Sequence, residues 1–361
     1  MAASIDPDAL KFFSFNLFSK LEGAVTAGMV HLGDRLGLYT ALAAGEGDTS
    51  STLAARTGLH ERWVREWLHN QVGARFVVCD DLDATDPVFR LTPEAVAVLA
   101  TPEHPAYGMG MFHRLPQTMA ALNDMPDAFR TGVGRDYDSH GPEGAIGIER
   151  SFEPWNRNFL VPVVLPALSG AIEKLENGCL VADIGCGAGS LVLLLARTFP
   201  RSNFIGYDIS RHALARANEK LREEGLSNAR FVDPRDEPIP TDHRFDIVTT
   251  FDCIHDMTHP TGMMRTIRSS IKPDGTWLLV DIKAQESLSE NIGKNPMASM
   301  LYGISVLSCM SSAMSSPDGE GLGTLGLPAS LAESMAREAG FSTFHRLEVD
   351  HNVNAFYEIR P

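Results

Sequence analysis

The chain has 361 residues, enough for two domains, and its 44% hydrophobic and 21% charged residues are typical of a soluble globular protein. The formal net charge of −15 disfavours nucleic acid or an anionic membrane as a partner, unless the positive charges gather on one face. Five cysteines without a CxxC pair predict neither a zinc site nor a disulfide framework, and they favour a cytoplasmic location. The N-terminus lacks the basic start of a signal peptide, and residues 297–314, the longest weakly polar stretch, are interrupted by serines and a glycine.

Residues 10–32 predict an amphipathic helix, because apolar side chains recur at spacings of three and four. These side chains are Leu10, Phe13, Leu17, Leu21, Val25 and Met29. Their common face can cover a partner subunit or the core of the same chain. We favour the core of the same chain.

Residues 33–100 predict a winged helix. Three short helices, at 36–43, 49–58 and 60–73, are followed by two strands, at 74–80 and 87–93, around an acidic loop. In the third helix Trp63, Trp67 and Leu68 are predicted to share one side. A DNA-binding role would place this helix in the major groove. The basic residues of the helix, Arg62 and Arg65, are offset by the acids Glu61 and Glu66. The loop between the two strands is also acidic, which opposes contact with phosphates. Its acids are Asp80, Asp81, Asp83 and Asp86.

Residues 101–176 carry prolines and glycines between helical pieces, which predicts a bridging region. From residue 178 onward, apolar strands alternate with helices, and this alternation predicts a parallel sheet with helices on both faces. The last two segments, 341–349 and 354–361, resemble an antiparallel pair. We therefore predict three parts: 1–100, 101–176 and 177–361.

The segment "VADIGCGAGS" places a glycine-rich loop after the first of these strands, where ligands bind in parallel sheets. A dinucleotide fingerprint puts its third glycine at the position that Ser190 occupies here. Asp183 would also repel a pyrophosphate by a few kcal/mol, even at an effective dielectric of ~20. The loop residues are Gly185, Cys186, Gly187 and Gly189. We therefore predict a phosphate-free, cationic nucleoside, S-adenosylmethionine, with Asp183 helping to hold the loop and the cation.

A second strand ends at Asp208, which we predict to accept hydrogen bonds from the ribose hydroxyls, with Ile209 beside it. The alternative is that Asp208 caps the next helix, a task that Ser210 can perform. A later strand is followed by Asp233 and Asp236. Either one is a candidate for the adenine amino group, and either one is equally suited to a simple turn.

Residues 178–361 resemble the class I S-adenosylmethionine-dependent methyltransferases, on "VADIGCGAGS", "GYDIS" and "IKPDGTWLLVDI". The resemblance implies a Rossmann-like α/β domain with a mostly parallel seven-stranded sheet, preceded here by a helical, winged-helix domain. That N-terminal domain is similar to the one in small-molecule O-methyltransferases, where it serves dimerisation and closes the substrate pocket. A homodimer and a small-molecule acceptor are thus implied, and a cofactor-sensing DNA-binding regulator is the alternative.

The segment "TTFDCIHDMTHP" supplies candidates for chemistry. Phe251 and Asp252 end a strand beside the cofactor, and His255 follows. The His-Asp pair is similar to that of plant-type O-methyltransferases, which implies that His255 is the general base for a hydroxyl. An unperturbed imidazole is largely neutral at cell pH. One alternative is that His255 packs against the cofactor or hydrogen-bonds to the backbone without exchanging a proton. A separate alternative is that the acceptor atom is nitrogen or carbon rather than oxygen.

No clustered acidic set predicts a metal, so we expect metal independence. The walls of the acceptor pocket are less well defined. Trp155 and Asn156 are predicted to lie over the methionine end of the cofactor, and His113 with Arg114 offers polar contacts. Met257 stands where the plant pattern has tryptophan. A methionine-rich segment that contains Met300 and Tyr302 suits an apolar acceptor site, a lid or core packing.

Overall fold

The computed structural model describes residues 5–361, so the first four residues of the predicted N-terminal part lie outside the described residues. The chain divides into two compact units, with the boundary along the sequence between Pro116 and Gln117. The predicted bridging region, 101–176, is therefore distributed over both units. Each unit has a hydrophobic core of its own.

The first unit is helical with a small antiparallel hairpin. Its elements are α1 Pro7–Arg35, α2 Leu38–Ala43, α3 Ser50–Thr57, α4 Glu61–Gly73, β1 Val78–Cys79, β2 Phe89–Arg90, α5 Pro93–Leu99 and α6 Met109–His113, and α7 Leu115–Ala120 crosses the boundary. Thr49 caps α3 through its hydroxyl, and Gly58 ends that helix in the left-handed conformation. The predicted order of three helices and a hairpin is present.

Two expectations for this unit are wrong. The predicted apolar face of α1 covers the core of the same chain only at its C-terminal end: Leu10, Phe13 and Leu17 are between 52% and 67% exposed, whereas Met29 packs against the core. Trp63 is exposed, whereas Trp67 and Leu68 are buried. The buried stripe of α4 contains Val64, Trp67, Leu68 and Gln71, and Trp63 projects just outside this stripe.

The second unit is a doubly wound α/β domain. Its helices are α8 Met125–Thr131, α9 Gly141–Phe159, α10 Leu165–Ala167, α11 Ala171–Asn177, α12 Ser190–Thr198, α13 Arg211–Glu224, α14 Pro260–Ser270, α15 Leu288–Lys294, α16 Ala298–Ile304, α17 Met310–Ala313 and α18 Ala329–Glu338. Short 3₁₀ turns lie at Ala121–Asn123, Tyr137–His140 and Ile254–Asp256, and π-helical turns at Leu160–Val164 and Ser305–Cys309.

Seven strands form one sheet: β3 Leu180–Ile184, β4 Asn203–Tyr207, β5 Ala229–Val232, β6 Phe245–Phe251, β7 Ile271–Ile282, β8 Thr343–Arg346 and β9 Asn354–Arg360. Their order is β5-β4-β3-β6-β7-β9-β8, and β9 pairs antiparallel with both of its neighbours. The predicted mostly parallel seven-stranded sheet is thus confirmed. The carboxyl ends of β3, β4, β6 and β7 lie at one edge, where the site is sought.

Successive residues of the central strands face opposite cores. Val181 and Ile247 pack with one set of helices, and Ala182 and Val248 pack with the other. Burial on both faces explains why these strands are almost continuously apolar. Among the described residues, no single helix is both long and apolar enough to cross a membrane; the segments Tyr137–Ala167 and Ala171–Asn177 pass that test only as a pair bent by 108°.

Candidate active site

The glycine loop after β3 has a backbone conformation that leaves free space beside one of its glycines. Gly187 has a φ of 53°, and a Cβ added there would meet nothing within 4 Å, so the loop borders free space at this residue. Gly185 is the opposite case, because a Cβ there would lie 2.7 Å from the Cys253 side chain. The loop therefore needs glycine at 185 to pack against Cys253, which follows β6, and it exposes its backbone at Gly187.

Asp208, at the end of β4, fixes this loop. Its Oδ2 accepts a 2.7 Å hydrogen bond from the Gly187 backbone N–H, and its Oδ1 accepts another from the Ser210 N–H. Ser210, not Asp208, caps the following helix α13 through its hydroxyl. Burial raises the pKa of Asp208, and the two backbone hydrogen bonds oppose this shift. The carboxylate thus orients the loop and remains at the edge where a ribose is predicted.

Asp183 has a different partner from the one that the sequence suggests. The sequence predicts a contact with the glycine loop, but Oδ1 of Asp183 accepts a 2.6 Å hydrogen bond from Oγ1 of Thr249 on the neighbouring strand β6. Burial raises its pKa to about 7, and the negative charge of Asp208 adds to the shift. Asp183 is therefore an acid poised between its neutral and anionic forms near neutral pH.

The two candidate adenine-binding acids differ in position. Asp233 is half-buried directly after β5 and binds the guanidinium of Arg235, which holds the pKa of its carboxyl below the usual range. Arg235 also donates to the backbone oxygen of Ile209, whose side chain is half exposed. Asp236 is exposed. Asp233 is thus the candidate nearer to Asp208 and Ile209.

The end of β6 carries the next acid. Phe251 is half-buried against the core, and Asp252 follows with a φ of 49°, a conformation that costs a non-glycine residue about 1 kcal/mol. Asn354 of β9 donates to Oδ1 of Asp252, while its Oδ2 is buried without a hydrogen-bond partner. Burial and the nearby charge of Asp281 raise the pKa of Asp252 to about 7. A strained, incompletely bonded acid marks this edge for a ligand.

His255 forms a buried pair with an acid that the sequence analysis did not single out. Its Nδ1 lies 2.6 Å from Oδ1 of Asp281, at the end of β7, and both side chains are buried. The Ile282 backbone N–H also donates to Oδ1 of Asp281, whose Oδ2 lacks a hydrogen-bond partner. This arrangement assigns a proton to Nδ1, whose N–H donates to Asp281, and leaves Nε2 for chemistry.

The expected neutral imidazole requires correction. Burial lowers the pKa of His255, but the negative charge of Asp281 and its hydrogen bond outweigh burial, so the pKa lies well above 6.5. His255 therefore holds its proton more tightly in the free protein than an unperturbed imidazole does. A cation bound beside it would favour loss of that proton.

Two further side chains reach the same histidine. Cys309 approaches His255 from the π-helical turn Ser305–Cys309, and Asp256 follows His255 directly. The ligating atoms of His255, Asp256 and Cys309 all lie within 4.8 Å of one another. The sequence alone could not reveal this cluster, because Cys309 is distant along the chain.

The predicted acceptor-site residues are dispersed. Trp155 packs against the rings of His351 and Phe356, with ring centroids 4.6 and 5.6 Å apart, and Asn156 is buried in α9. Met257 is half-buried beside the 3₁₀ turn, whereas Met300 and Tyr302 reach solvent on α16. Their contact with an acceptor stays a prediction.

His113 and Arg114 belong to the first unit. There Nδ1 of His113 lies 3.8 Å from Oδ2 of Asp34, and Arg114 is buried. The main residues that the sequence analysis missed are Thr249, Asp281, Cys309 and Asn354. Only Asp281 carried a signal, because an acid at the carboxyl end of an apolar strand is the pattern that identified Asp183 and Asp208.

The residues present fit a cationic nucleoside. Open space borders Gly187, Asp252 carries an orphaned carboxylate oxygen, and three acids lie at the carboxyl ends of adjacent strands. Cationic groups of a ligand would compensate the buried Asp183 and Asp252, while ribose hydroxyls would suit Asp208. A pyrophosphate would meet the same acids as an uncompensated anion.

Two family models match this chain. Residues 175–325 match a model described as "Methyltransferase domain", and residues 24–101 match one described as "Rv2258c-like winged HTH domain". The chain is also 26% identical over 170 residues to the demethylmenaquinone methyltransferase of Lactobacillus johnsonii, a match that covers 46% of this chain and 62% of that protein. The chain thus spans less than two thirds of the length of the curated relatives that it matches.

Solved structures extend the likeness to the whole fold. The mitomycin 7-O-methyltransferase MmcR is similar at a TM-score of 0.72 and 19% identity, over 98% of this chain and 99% of that one. Human N-acetylserotonin methyltransferase, in complex with S-adenosylmethionine, is similar at a TM-score of 0.69 and 17% identity, over 100% and 99% of the two chains. The chain therefore carries a methyltransferase domain behind a winged helix-turn-helix domain, and both predictions are confirmed.

Proposed function

We propose that this protein is an S-adenosylmethionine-dependent methyltransferase that acts on a hydroxyl group of a small molecule, with His255 as the general base. The observation that carries the proposal is the buried pair of His255 and Asp281 at the edge of the sheet that holds Asp183, Asp208 and Asp252. The family model for a methyltransferase domain supports the reaction class. Structural neighbours that are named as O-methyltransferases support oxygen as the acceptor atom.

The cofactor, when bound, supplies an electrophilic methyl group on a positively charged sulfur. Gly187 and Asp208 form the backbone cradle, and we propose that Asp208 binds the ribose hydroxyls while Asp233 meets the adenine. Asp183 and Asp252 would ionise in response to the positive charges of the ligand. These roles follow from position and charge at the strand ends.

His255 would act through Nε2. The unprotonated Nε2 would accept the proton of the acceptor hydroxyl. The hydroxyl oxygen would then bond to the methyl carbon while the carbon–sulfur bond breaks and its electron pair stays on the sulfur of the departing cofactor product. Asp281 accepts a hydrogen bond from the Nδ1–H of His255, and its negative charge stabilises the imidazolium that forms. Proton removal by such a base is worth about 10²–10⁴-fold, and alignment of the reactants contributes separately. No step in this scheme requires a metal.

The first test is calorimetry with S-adenosylmethionine and NADH side by side. We expect binding of the first ligand only, and tight binding of NADH alone would contradict the proposal. The second test supplies the cofactor with an isotopically labelled methyl group, together with a panel of phenols, amines and activated carbon acids. The chemical shift of the transferred methyl group separates oxygen from nitrogen and carbon acceptors.

We propose a homodimer built through helix α1. Apolar side chains surround this helix rather than forming one stripe, and many of them are exposed, which is unusual for a helix in water. The exposed residues include Phe12, Phe13, Phe15, Leu17, Phe18, Leu21 and Val25. A second copy of the same helix and its surroundings would cover them.

We propose that the winged helix does not bind nucleic acid. Arg62 is paired with Glu66, and Arg65 is paired with Glu61, so the basic groups of α4 are neutralised along that helix. A cofactor-sensing DNA-binding regulator is the competing function. A filter-binding scan over genomic fragments at low and high salt distinguishes the two, because specific, salt-sensitive binding would support the regulator.

A further inference from the structure

His255, Asp256 and Cys309 form a cluster of which the methyl-transfer scheme uses only His255. It joins an imidazole nitrogen, a carboxylate and a thiol within 4.8 Å, all in the second unit. A nitrogen, an oxygen and a sulfur ligand are the set that zinc-type ions bind, and three protein ligands leave a fourth tetrahedral position open. In a zinc site such ligand atoms lie about 3.3–3.8 Å apart, so a side-chain movement of about an ångström would close the site.

A carboxylate already holds the histidine of this cluster in place. Metal-bound histidines commonly donate their other ring N–H to a carboxylate, which fixes the tautomer and the ring orientation. Asp281 takes this place, 2.6 Å from Nδ1 of His255, with both side chains buried. The remaining nitrogen, Nε2, is therefore the one left to bind a metal, with its ring held in place.

The surrounding charge also favours a divalent cation. The charges that act on the Asp252 carboxyl are those of Asp281, Asp256 and His255, so that with Asp252 itself three acids face one imidazole. A dication near these groups would compensate their repulsion. Cys309 lies in a π-helical turn, a local geometry that is frequent at functional sites.

We propose that Nε2 of His255, a carboxylate oxygen of Asp256 and Sγ of Cys309 bind one zinc-type divalent ion, and that this ion inhibits the enzyme. On binding, the Cys309 thiol releases its proton to solvent and the thiolate bonds to the metal. The ion takes the Nε2 lone pair that the acceptor hydroxyl needs, so metal and acceptor compete. The inhibitory part rests on the proposed function, whereas the metal site itself does not.

Cobalt(II) is the probe for the site, because a thiolate–cobalt bond produces a charge-transfer absorption that other ligands do not. We expect one cobalt per wild-type chain with this absorption, and displacement by zinc. Cys309→Ser should abolish the absorption, and Cys79→Ser, which removes a thiol of the first unit, should leave it intact. Circular dichroism of each variant verifies the fold.

Two more variants refine the assignment. Asp256→Asn should weaken zinc binding in calorimetry, and Asp281→Asn should weaken it about 10–100-fold while the thiolate–cobalt absorption persists. In methyl-transfer assays, zinc should inhibit the wild-type enzyme competitively against the acceptor, and Cys309→Ser should resist it.

Absence of the thiolate–cobalt absorption in the wild type, or its persistence in Cys309→Ser, would overturn the metal site. Neither result bears on S-adenosylmethionine binding, which calorimetry without metal measures separately. Conversely, a protein that binds cobalt through Cys309 but not S-adenosylmethionine would retain the metal site and lose the proposed function. Zinc bound at the site without any effect on methyl transfer would overturn the inhibitory part.

Discussion

Oγ1 of Thr249 donates a 2.6 Å hydrogen bond to Oδ1 of Asp183 across two neighbouring parallel strands, and both side chains are buried. This hydrogen bond lowers the pKa of the Asp183 carboxyl. It opposes the effect of burial only in part, so the pKa of Asp183 reaches about 7. Asp183, the acid whose charge disfavours a pyrophosphate in the sequence analysis, is thus also an acid whose charge depends on pH.

Cofactor binding should strengthen as the pH rises through 7. Below a pKa of about 7 Asp183 is neutral, and above it the carboxylate is anionic and attracts a cationic ligand. We expect the Kd for S-adenosylmethionine to fall about tenfold between pH 6 and pH 8, with proton release on binding at pH 6. Calorimetry in buffers of different ionisation enthalpy measures both quantities.

Asp183→Asn supplies the control for this dependence. The amide keeps an oxygen for Thr249 but cannot ionise, so its affinity should be low and should depend on pH less than that of the wild type, with Asp252 left to titrate near pH 7. A wild-type pH dependence that survives this substitution would assign the titration to another group.

The same substitution should stabilise the free protein at pH 8. Folding raises the pKa of Asp183 from 3.8 to about 7. Below pH 3.8 the acid is neutral in both the folded and the unfolded protein, so it does not reduce the free energy of unfolding. As the pH rises from 3.8 to 7 the unfolded protein gains from ionisation and the folded protein does not, so the free energy of unfolding falls. By pH 8 the buried charge costs roughly 4 kcal/mol, which the amide does not incur. Thermal unfolding without cofactor should therefore give a higher Tm for Asp183→Asn than for the wild type, and an unchanged or lower Tm would contradict this account.

Asp208→Asn should weaken cofactor binding more than Asp236→Asn. Asp208 uses one oxygen for the Gly187 N–H and the other for the Ser210 N–H, and an amide can accept only one of these bonds. Loss of a hydrogen bond to a charged group predicts a Kd increase of about 10–100-fold. Asp236 is exposed, so its amide variant should bind within about twofold of the wild type. Equal losses in the two variants would remove Asp208 from the site.

The methyl-transfer rate should depend on pH through His255. Asp281 holds the pKa of His255 well above 6.5, although burial opposes it, and a protonated imidazole cannot accept a proton. We therefore expect kcat/KM to continue rising above pH 7. Asp281→Asn should move this rise to lower pH, because the raising charge is gone, and should lower the maximal rate about tenfold or more.

Asp274→Asn is the matched control, since Asp274 lies on the same strand, is largely exposed and pairs with Lys174. Its pH profile should coincide with that of the wild type. If Asp281→Asn also retained the wild-type profile, His255 would not be the titrating base.

The sequence predicted the sheet well because each central strand is a short, nearly continuous apolar run between turn residues, and burial on both faces requires that pattern. The acids at the strand ends were visible for the same reason. The cluster around His255 was not, since Cys309 reaches it through tertiary packing alone. The raised pKa values of Asp183 and His255 were also beyond the sequence, because they arise from burial and from one neighbouring charge.

Helix α1 shows a different limit. Its periodic apolar residues predicted a covered face, yet Phe13 and Leu17 are 67% and 61% exposed in the single chain. The period of a helix indicates that a face is apolar but does not identify the surface that covers it. The covering surface must therefore come from outside the chain if the helix is to be shielded from water.

The double variant Phe12→Glu with Phe15→Glu should convert the proposed dimer into a monomer. Burial of each phenylalanine in an interface contributes about 2 kcal/mol, and two buried, unpaired carboxylates would add a further cost. Multi-angle light scattering should give twice the chain mass for the wild type and the chain mass, 39.3 kDa, for the variant. Phe129→Glu is the control, because Phe129 is 77% exposed on α8 of the second unit and should leave the dimer intact. A wild-type monomer, or a double variant that keeps the dimer mass, would show that α1 is not the interface.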